Sequence, residues 1–255
     1  MVEYTDVMSA AYNETAAVMY RQKYSEGDPT WDTVAAIARG LNFTDKSVLD
    51  VGCGPGINAE QLLNKCGISS YVGFDASEAQ INAAKNAGLD ETKTKFFVGD
   101  ACSTALTDDE NNDLQLDVAL ASFVVPHLAS TQDIKALLTF CKRFTKPNAS
   151  TYVVIGDDYG VVRASGEARD AMLGPVKYHL PENEPKWKTG VKFDVVFSPD
   201  FIVPAYLWDV EDVATCAKAI FSHVDTINAW EVVKDLGTSL PKEAAQVMFV
   251  LHCRD

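Results

Sequence analysis

The chain has 255 residues, 47% of them hydrophobic and 23% charged, a composition that suits one soluble globular domain with a substantial core. Its 36 acidic side chains outnumber 22 basic ones, and the formal net charge of −14 opposes phosphate backbones and anionic membrane surfaces. Nucleic acid and membrane are thereby disfavoured as partners, and a neutral or cationic small molecule is the easier fit.

The opening stretch MVEYTDVMSAAYNETAAVMY carries acids and no sustained apolar core, unlike a secretory signal. Tyr12 and Tyr20 stand in it at loose helical spacing. In GDPTWDTVAAIARGL, Asp28 can cap a helix, Pro29 suits its first position, and Gly40 suits its exit. From Lys46 short apolar runs alternate with helical patterns. SVLDV reads as a strand, INAEQLLNKC as a helix, SYVGF as a second strand, and EAQINAAKNAG as a helix that Ser77 and Gln80 can open as a capping box. KFFVG, DVALAS and STYVVIG read as strands three to five, with an amphipathic helix in STQDIKALLTFCKRF before the fifth. Strands that alternate with helices predict βαβ units and a parallel sheet covered on both faces.

After Gly156 the rhythm breaks. Residues 157–208 hold five prolines, several aromatics and two extended pieces, VKFDVVF and FIVPAYLW, which read as an insertion lying over the sheet. DVEDVATCAKAIFSH then restores a helix, and TINAWEVV and AQVMFVLHC read as two closing strands. The chain thus divides into an N-terminal cap (1–45), a core (46–156), the insertion (157–208) and a closing unit (209–255), all within one domain. No apolar run approaches the roughly 20 residues that a membrane helix needs. The six cysteines are scattered without a C-x-x-C pair, which favours free thiols in a cytoplasmic protein.

Between the first strand and its helix, VLDVGCGPG places Gly52, Gly54 and Gly56 at alternate positions, where backbone can turn sharply and approach a ligand. Two readings compete. A nicotinamide oxidoreductase wants G-x-G-x-x-G facing a pyrophosphate. Here the spacing is G-x-G-x-G, and Asp50 stands two residues ahead of it, awkward for a pyrophosphate but suited to a ligand with an ammonium or sulfonium. Asp75 ends the second strand, where a carboxylate can accept from ribose hydroxyls. Asp100 and Ala101 follow the third strand, and Ser122 and Phe123 end the fourth, so four successive strand ends carry polar or small residues on one rim.

With these residues in order, the chain resembles the class I S-adenosylmethionine-dependent methyltransferases, in their small-molecule branch. VLDVGCGPG looks like their first motif, YVGFDAS their ribose-binding acid, FVGDA their adenine contact and LDVALASFVVPHL their fourth motif. The resemblance implies an α/β three-layer Rossmann-like fold, with a seven-stranded, mostly parallel sheet whose last strand is antiparallel. It implies S-adenosyl-L-methionine as cofactor, with Gly52, Cys53, Gly54 and Gly56 against the methionine moiety and ribose, and Asp50 supporting the loop and the amino group. Asp75 would hold the ribose, Ala76, Asp100 and Ala101 would flank the adenine, and Ser122 and Phe123 would lie near the methyl. Tyr20 would close over the cofactor. A non-catalytic relative that keeps the fold as a binding module is the third reading.

Methyl transfer from a sulfonium needs positioning and exclusion of water, with a base only when the nucleophile arrives protonated. His127, just past the fourth strand, is the candidate base or positioning residue. The N/D-P-P-Y tetrapeptide of adenine and glutamine methyltransferases is replaced here by ASFV, which takes away the signature of a nucleic-acid or amide acceptor. Asp157 and Asp158 follow strand five, but Ala121 and Ser122 occupy the partner position, so a metal site is incomplete and none is expected. Tyr12, Asp157, Tyr178, Trp187 and Tyr206 are the candidate substrate contacts, with Phe193, Trp208 and Asp194 nearby. Aromatics beside carboxylates suit an amine, and an apolar sub-core under the insertion is the competing structural reading.

Overall fold

The computed structural model describes residues 11–25, 32–102, 114–156, 170–173, 176–179, 189–198, 201–237, 242–246 and 248–255. In chain order the elements are α1 (Glu14–Ser25), α2 (Thr33–Gly40), β1 (Ser47–Val51), α3 (Ile57–Gln61, prolonged by a π turn over Leu62–Cys66), β2 (Ser70–Asp75), α4 (Glu78–Lys85), β3 (Thr94–Val98) and β4 (Leu116–Ser122). A 3-10 turn over Val125–His127 leads to α5 (Thr131–Arg143) and β5 (Thr145–Gly156). Next come β6 (Asp170–Leu173), β7 (Val176–His179), β8 (Lys192–Ser198) and β9 (Phe201–Tyr206). The chain closes with α6 (Val210–Lys218), β10 (His223–Asn228), α7 (Ala229–Val233), α8 (Lys242–Gln246) and β11 (Met248–Arg254).

Seven strands form one sheet in the order β10-β11-β5-β4-β1-β2-β3. Only β11 runs antiparallel, wedged between β5 and β10. Period-two alternation splits the apolar side chains between two faces. Val48, Tyr71, Phe96, Leu120 and Val154 pack on one side against residues of α2, α3, α4 and α7. Leu49, Phe74, Ala119, Val153 and Leu251 pack on the other against α5 and α6. The result is the three-layer α/β architecture that the alternation predicts.

The insertion contributes a second sheet, antiparallel, in the order β6-β7-β8-β9. Phe201 and Val203 of β9 pack against Ala16 of α1, with Tyr12 and Tyr20 alongside. Just beyond β9, the Trp208 indole donates to the Leu128 carbonyl at 2.9 Å, tying the insertion to the segment after β4.

One expected strand is corrected. TINAWEVV is not extended throughout: β10 stops at Asn228, whose side chain accepts from the Trp230 amide and caps α7. Ala229 and Val233, four apart, then face the core together, so helical spacing and a cap overrule the β-branched composition. Strand β5 also starts earlier than expected, at Thr145, with a register irregularity between Leu116 and Val118 of its neighbour.

Candidate active site

The rim at the carboxyl ends of β1, β2, β3 and β4 is where the chain leaves β1 toward β2 on one side while β4 lies on the other. Such a switch point opens a crevice in an α/β sheet. The three glycines of the β1–α3 loop all take positive φ, and they do so for different reasons. A side chain at Gly52 would strike Val124 Cγ2 at 2.4 Å, so packing against the β4 end excludes it. At Gly54 a Cβ would meet only Gln80 Oε1, at 3.8 Å, leaving open space before the backbone. Gly56 holds the N-cap of α3 at φ 79°.

Asp75, at the end of β2, receives the Gly54 amide on Oδ2 and the Ser77 amide on Oδ1, each at 2.9 Å. The carboxylate therefore fixes the middle of the glycine loop, and each oxygen keeps a lone pair for a further donor. Burial raises its carboxyl above the ordinary range against the pull of those two amides. Ser77 caps α4 by accepting from the Gln80 amide, as the capping box predicts. The reciprocal half is redirected: the Gln80 side chain donates to the Tyr12 carbonyl instead.

Asp50 is fully buried beneath the loop. Its Oδ2 accepts from the Tyr71 hydroxyl at 2.5 Å and from Asn58 Nδ2 at 2.9 Å, while Oδ1 has no hydrogen-bond partner. Desolvation pushes the carboxyl up to about 6, with the Tyr71 and Asn58 bonds opposing. Asn58 Nδ2 also reaches Ser122 Oγ at 3.1 Å, so one amide joins the ends of β1 and β4. Asn58 and Tyr71 were missed in the sequence. The signal for Tyr71 was a tyrosine inside an otherwise apolar strand, whose hydroxyl must find a buried partner.

Phe123, directly after β4, is a non-glycine residue at φ 57° and is 38% exposed. A strained backbone here presents an aromatic ring to solvent at the sheet's switch point. Asp100 accepts from the Cys102 amide at 2.8 Å, and Ala101 packs against the α5 side of the core. Val98 ends β3 opposite Asp75 and is 48% exposed, an apolar surface that the sequence reading passed over.

His127 closes the 3-10 turn, and its Nε2 lies 2.9 Å from the Tyr12 hydroxyl. Burial lowers the imidazole to about 4, with the Pro204 carbonyl acting against it. Tyr20 stacks on Tyr12, and both meet the Phe201 edge of β9. Burial raises the Tyr20 phenol to about 12. The aromatic group over the cleft is thus built from the N-terminal segment and Phe201. Phe193 and Trp208 are buried packing residues, and Tyr206 packs against the α5–α6 core. Asp194 of β8 pairs across to Pro204 of β9. Tyr178 lies in β7 opposite Ala171 and Val195. Asp157, Asp158 and Trp187 lie outside the described residues. Cys53 is buried as a thiol, and the Cβ and sulfur of its side chain fill the space that Gly73 leaves open. Ala76, between Asp75 and Ser77, is half-buried on the rim. Among the described residues no group of three or more His, Cys, Asp or Glu could hold a metal ion, and no helix is long and apolar enough to cross a membrane.

A doubly covered sheet with one antiparallel strand, a glycine loop clamped by an acid at the end of β2, and a second acid under that loop define the class I methyltransferase fold. Comparison with known proteins agrees: residues 48–148 match the family described as "Methyltransferase domain". This segment, under half of the chain, is what the chain shares with that family. It is 35% identical over 109 residues to a ribosomal protein L11 methyltransferase of Haemophilus influenzae, covering 43% of this chain and 33% of that protein. It is 31% identical over 124 residues to a ubiquinone biosynthesis O-methyltransferase of Pasteurella multocida, covering 45% of this chain and 47% of that one. The matched part thus spans a third to a half of these relatives. A solved S-adenosylmethionine-dependent methyltransferase from Clostridium acetobutylicum shares the fold at a TM-score of 0.59 and 14% identity, covering 95% of this chain and 98% of that one.

Proposed function

We propose that the protein binds S-adenosyl-L-methionine at the β1–β2 rim and transfers its methyl group to a small molecule, with an amine nitrogen as the favoured acceptor atom. The carrying observation is the fit of the rim to that cofactor. Gly54 offers open backbone, Asp75 retains acceptor capacity beside it, and Asp50 holds a buried oxygen with no partner. An orphaned buried carboxylate oxygen is costly unless a donor arrives, and a cofactor ammonium, directly or through water, supplies one.

In this reading Asp75 takes the ribose hydroxyls, while Ala76, Val98, Asp100 and Ala101 border the adenine. Ser122 and Phe123 face the methyl end, and Asn58 holds Ser122 and Asp50 in one alignment. When bound, the cofactor supplies an electrophilic methyl on a good leaving group. The chain's own part is to hold the nucleophile in line and exclude water. The aromatic cover of Tyr12, Tyr20 and Phe201 serves that exclusion. The amine preference rests on the acidic rim and on aromatic faces that favour a developing cation.

Calorimetry with S-adenosylmethionine and S-adenosylhomocysteine tests the cofactor, and absence of binding to either overturns the reading. Incubation with methyl-labelled cofactor and a pooled metabolite extract, followed by mass spectrometry, tests the acceptor. Label on an amine is the expected result. Label mainly on protein or RNA overturns the small-molecule assignment, and label on oxygen or sulfur overturns the amine preference.

A further inference from the structure

Gln80 stands in the first turn of α4, just past Asp75, and its side chain is 1% exposed. Its Nε2 donates to the Tyr12 carbonyl at 3.3 Å, and Ser77 Oγ donates to the same carbonyl at 2.6 Å. A carbonyl only accepts, so the amide nitrogen is the atom that faces Tyr12 and the amide oxygen is turned away from it. That oxygen, Oε1, is buried and has no hydrogen-bond partner.

The space beside Oε1 belongs to the glycine loop. A Cβ on Gly54 would lie 3.8 Å from this oxygen and would meet no other group within 4 Å beyond its chain neighbours. The Gly54 amide is given to Asp75 Oδ2 at 2.9 Å, so the loop supplies no donor to Gln80. Three acceptors with capacity to spare therefore stand on one rim: Asp75, Asp50 Oδ1 and Gln80 Oε1. A buried oxygen without a donor costs stability until a ligand brings one. Such a rim selects a ligand rich in donors. A ribose brings two vicinal hydroxyls, each with one proton to give, to the edge that Asp75 and Gln80 share.

We propose that Gln80 is a second ribose-binding residue of the cofactor site. Its Oε1 accepts from one of the two hydroxyls while Asp75 takes the other, and its Nε2 holds the N-terminal segment through the Tyr12 carbonyl. This inference rests on the S-adenosylmethionine reading above. One amide then serves the ligand and the cover together. Fixing its torsions for either partner removes freedom that the other no longer has to remove. By reciprocity, the cofactor strengthens docking of the N-terminal segment by the factor with which that docking strengthens cofactor binding.

A cycle of ligand and side-chain changes tests this by calorimetry. S-Adenosylhomocysteine and its 2′-deoxy and 3′-deoxy forms are titrated into the wild type, Gln80→Leu and Gln80→Met. Removing the hydroxyl that Gln80 holds should weaken wild-type binding about tenfold, and so should either substitution with the intact ligand. With that deoxy ligand the substitutions should add no more than about twofold, because the bond is already gone. With the other deoxy ligand, whose missing hydroxyl faces Asp75, they should cost the full tenfold again. A Gln80 that only packs would weaken all three ligands by one factor, and that result overturns the proposal, as does full affinity in both variants. A second measurement needs no variant. Saturating S-adenosylhomocysteine should slow hydrogen exchange of the α1 amides in the wild type, and the deoxy form that Gln80 cannot hold should slow it less at equal saturation. Unchanged α1 exchange, or equal slowing by all three ligands, overturns the link between Gln80 and the cover. A wild type that binds none of the three ligands sinks the cofactor reading itself, whereas binding without coupling between Gln80 and either hydroxyl sinks only this assignment.

Discussion

The two walls of the crevice are built by opposite strategies. The β1–β2 wall is local: Gly52 to Gly56, Asp50, Asn58, Tyr71 and Asp75 lie within 26 residues of one another and are tied together by the Gly54–Asp75, Asn58–Asp50 and Tyr71–Asp50 hydrogen bonds. The opposite wall is assembled from afar. Tyr12 reaches His127 across 115 positions, and Trp208 reaches Leu128 across 80. On the proposed function, the first wall answers a chemical demand that does not vary, to hold one cofactor. The second depends on pieces brought together by the fold, which can change with the acceptor while the sheet stays the same.

The most severe way to break this contrast is inside the first wall. Gly52→Ala places a Cβ against Val124 Cγ2 while the backbone sits at φ 75°, so overpacking and a left-handed penalty combine. The expected loss of stability is about 3 kcal/mol or more, read by urea unfolding. Gly54→Ala, in open space, should cost only about 1–2 kcal/mol in unfolding and should fall mainly on S-adenosylhomocysteine affinity. Equal unfolding losses in the two variants would show that Gly54 is also a packing glycine.

Asp75→Ala comes next. It removes the acceptor for the Gly54 and Ser77 amides as well as for a ribose, and should erase most of the thermal stabilisation given by S-adenosylhomocysteine, an effect of about 1–3 kcal/mol. An undiminished shift in the melting temperature would place the ribose elsewhere.

Asp50 supplies a pH signature. Its folded pKa of about 6 lies above the ordinary value of 3.8, so the folded state holds an extra proton between those values. Stability contributed by this group is full below about 4 and is lost as pH rises through 6, because the unfolded chain binds fewer protons there. A cofactor ammonium reverses the balance by favouring the carboxylate. Affinity for S-adenosylhomocysteine should therefore fall as pH drops below 6, with proton release on binding, and Asp50→Asn should flatten that dependence. Calorimetry in buffers of different ionisation enthalpy reads the released proton.

Trp208→Phe is the smallest perturbation and tests the second wall. It keeps most of the buried ring and removes the bond to the Leu128 carbonyl, for about 1 kcal/mol in unfolding. Cofactor affinity should not move, since the indole donates to Leu128, while Asp50 and Asp75 are held by Asn58, Tyr71, Gly54 and Ser77.

Much of this was legible before the fold was known. Strand β1 is where SVLDV places it, α4 opens at Ser77, and the antiparallel last strand agrees with the family resemblance. These features are encoded locally, by period-two apolar runs, caps and left-handed glycines, which act over a few residues and need no distant partner. The sequence likewise marked Asp50, Asp75 and His127 by chemistry and position. The tertiary structure alone decided which aromatics cover the crevice. Phe193 and Trp208 carry the same composition as a lid but are buried as packing, while Tyr12, Tyr20 and Phe201 converge from separate segments. It also decided that Asn58 joins two strand ends and that His127 is buried and neutral. Burial and long-range pairing depend on where the chain crosses itself, and no spacing along the sequence records that.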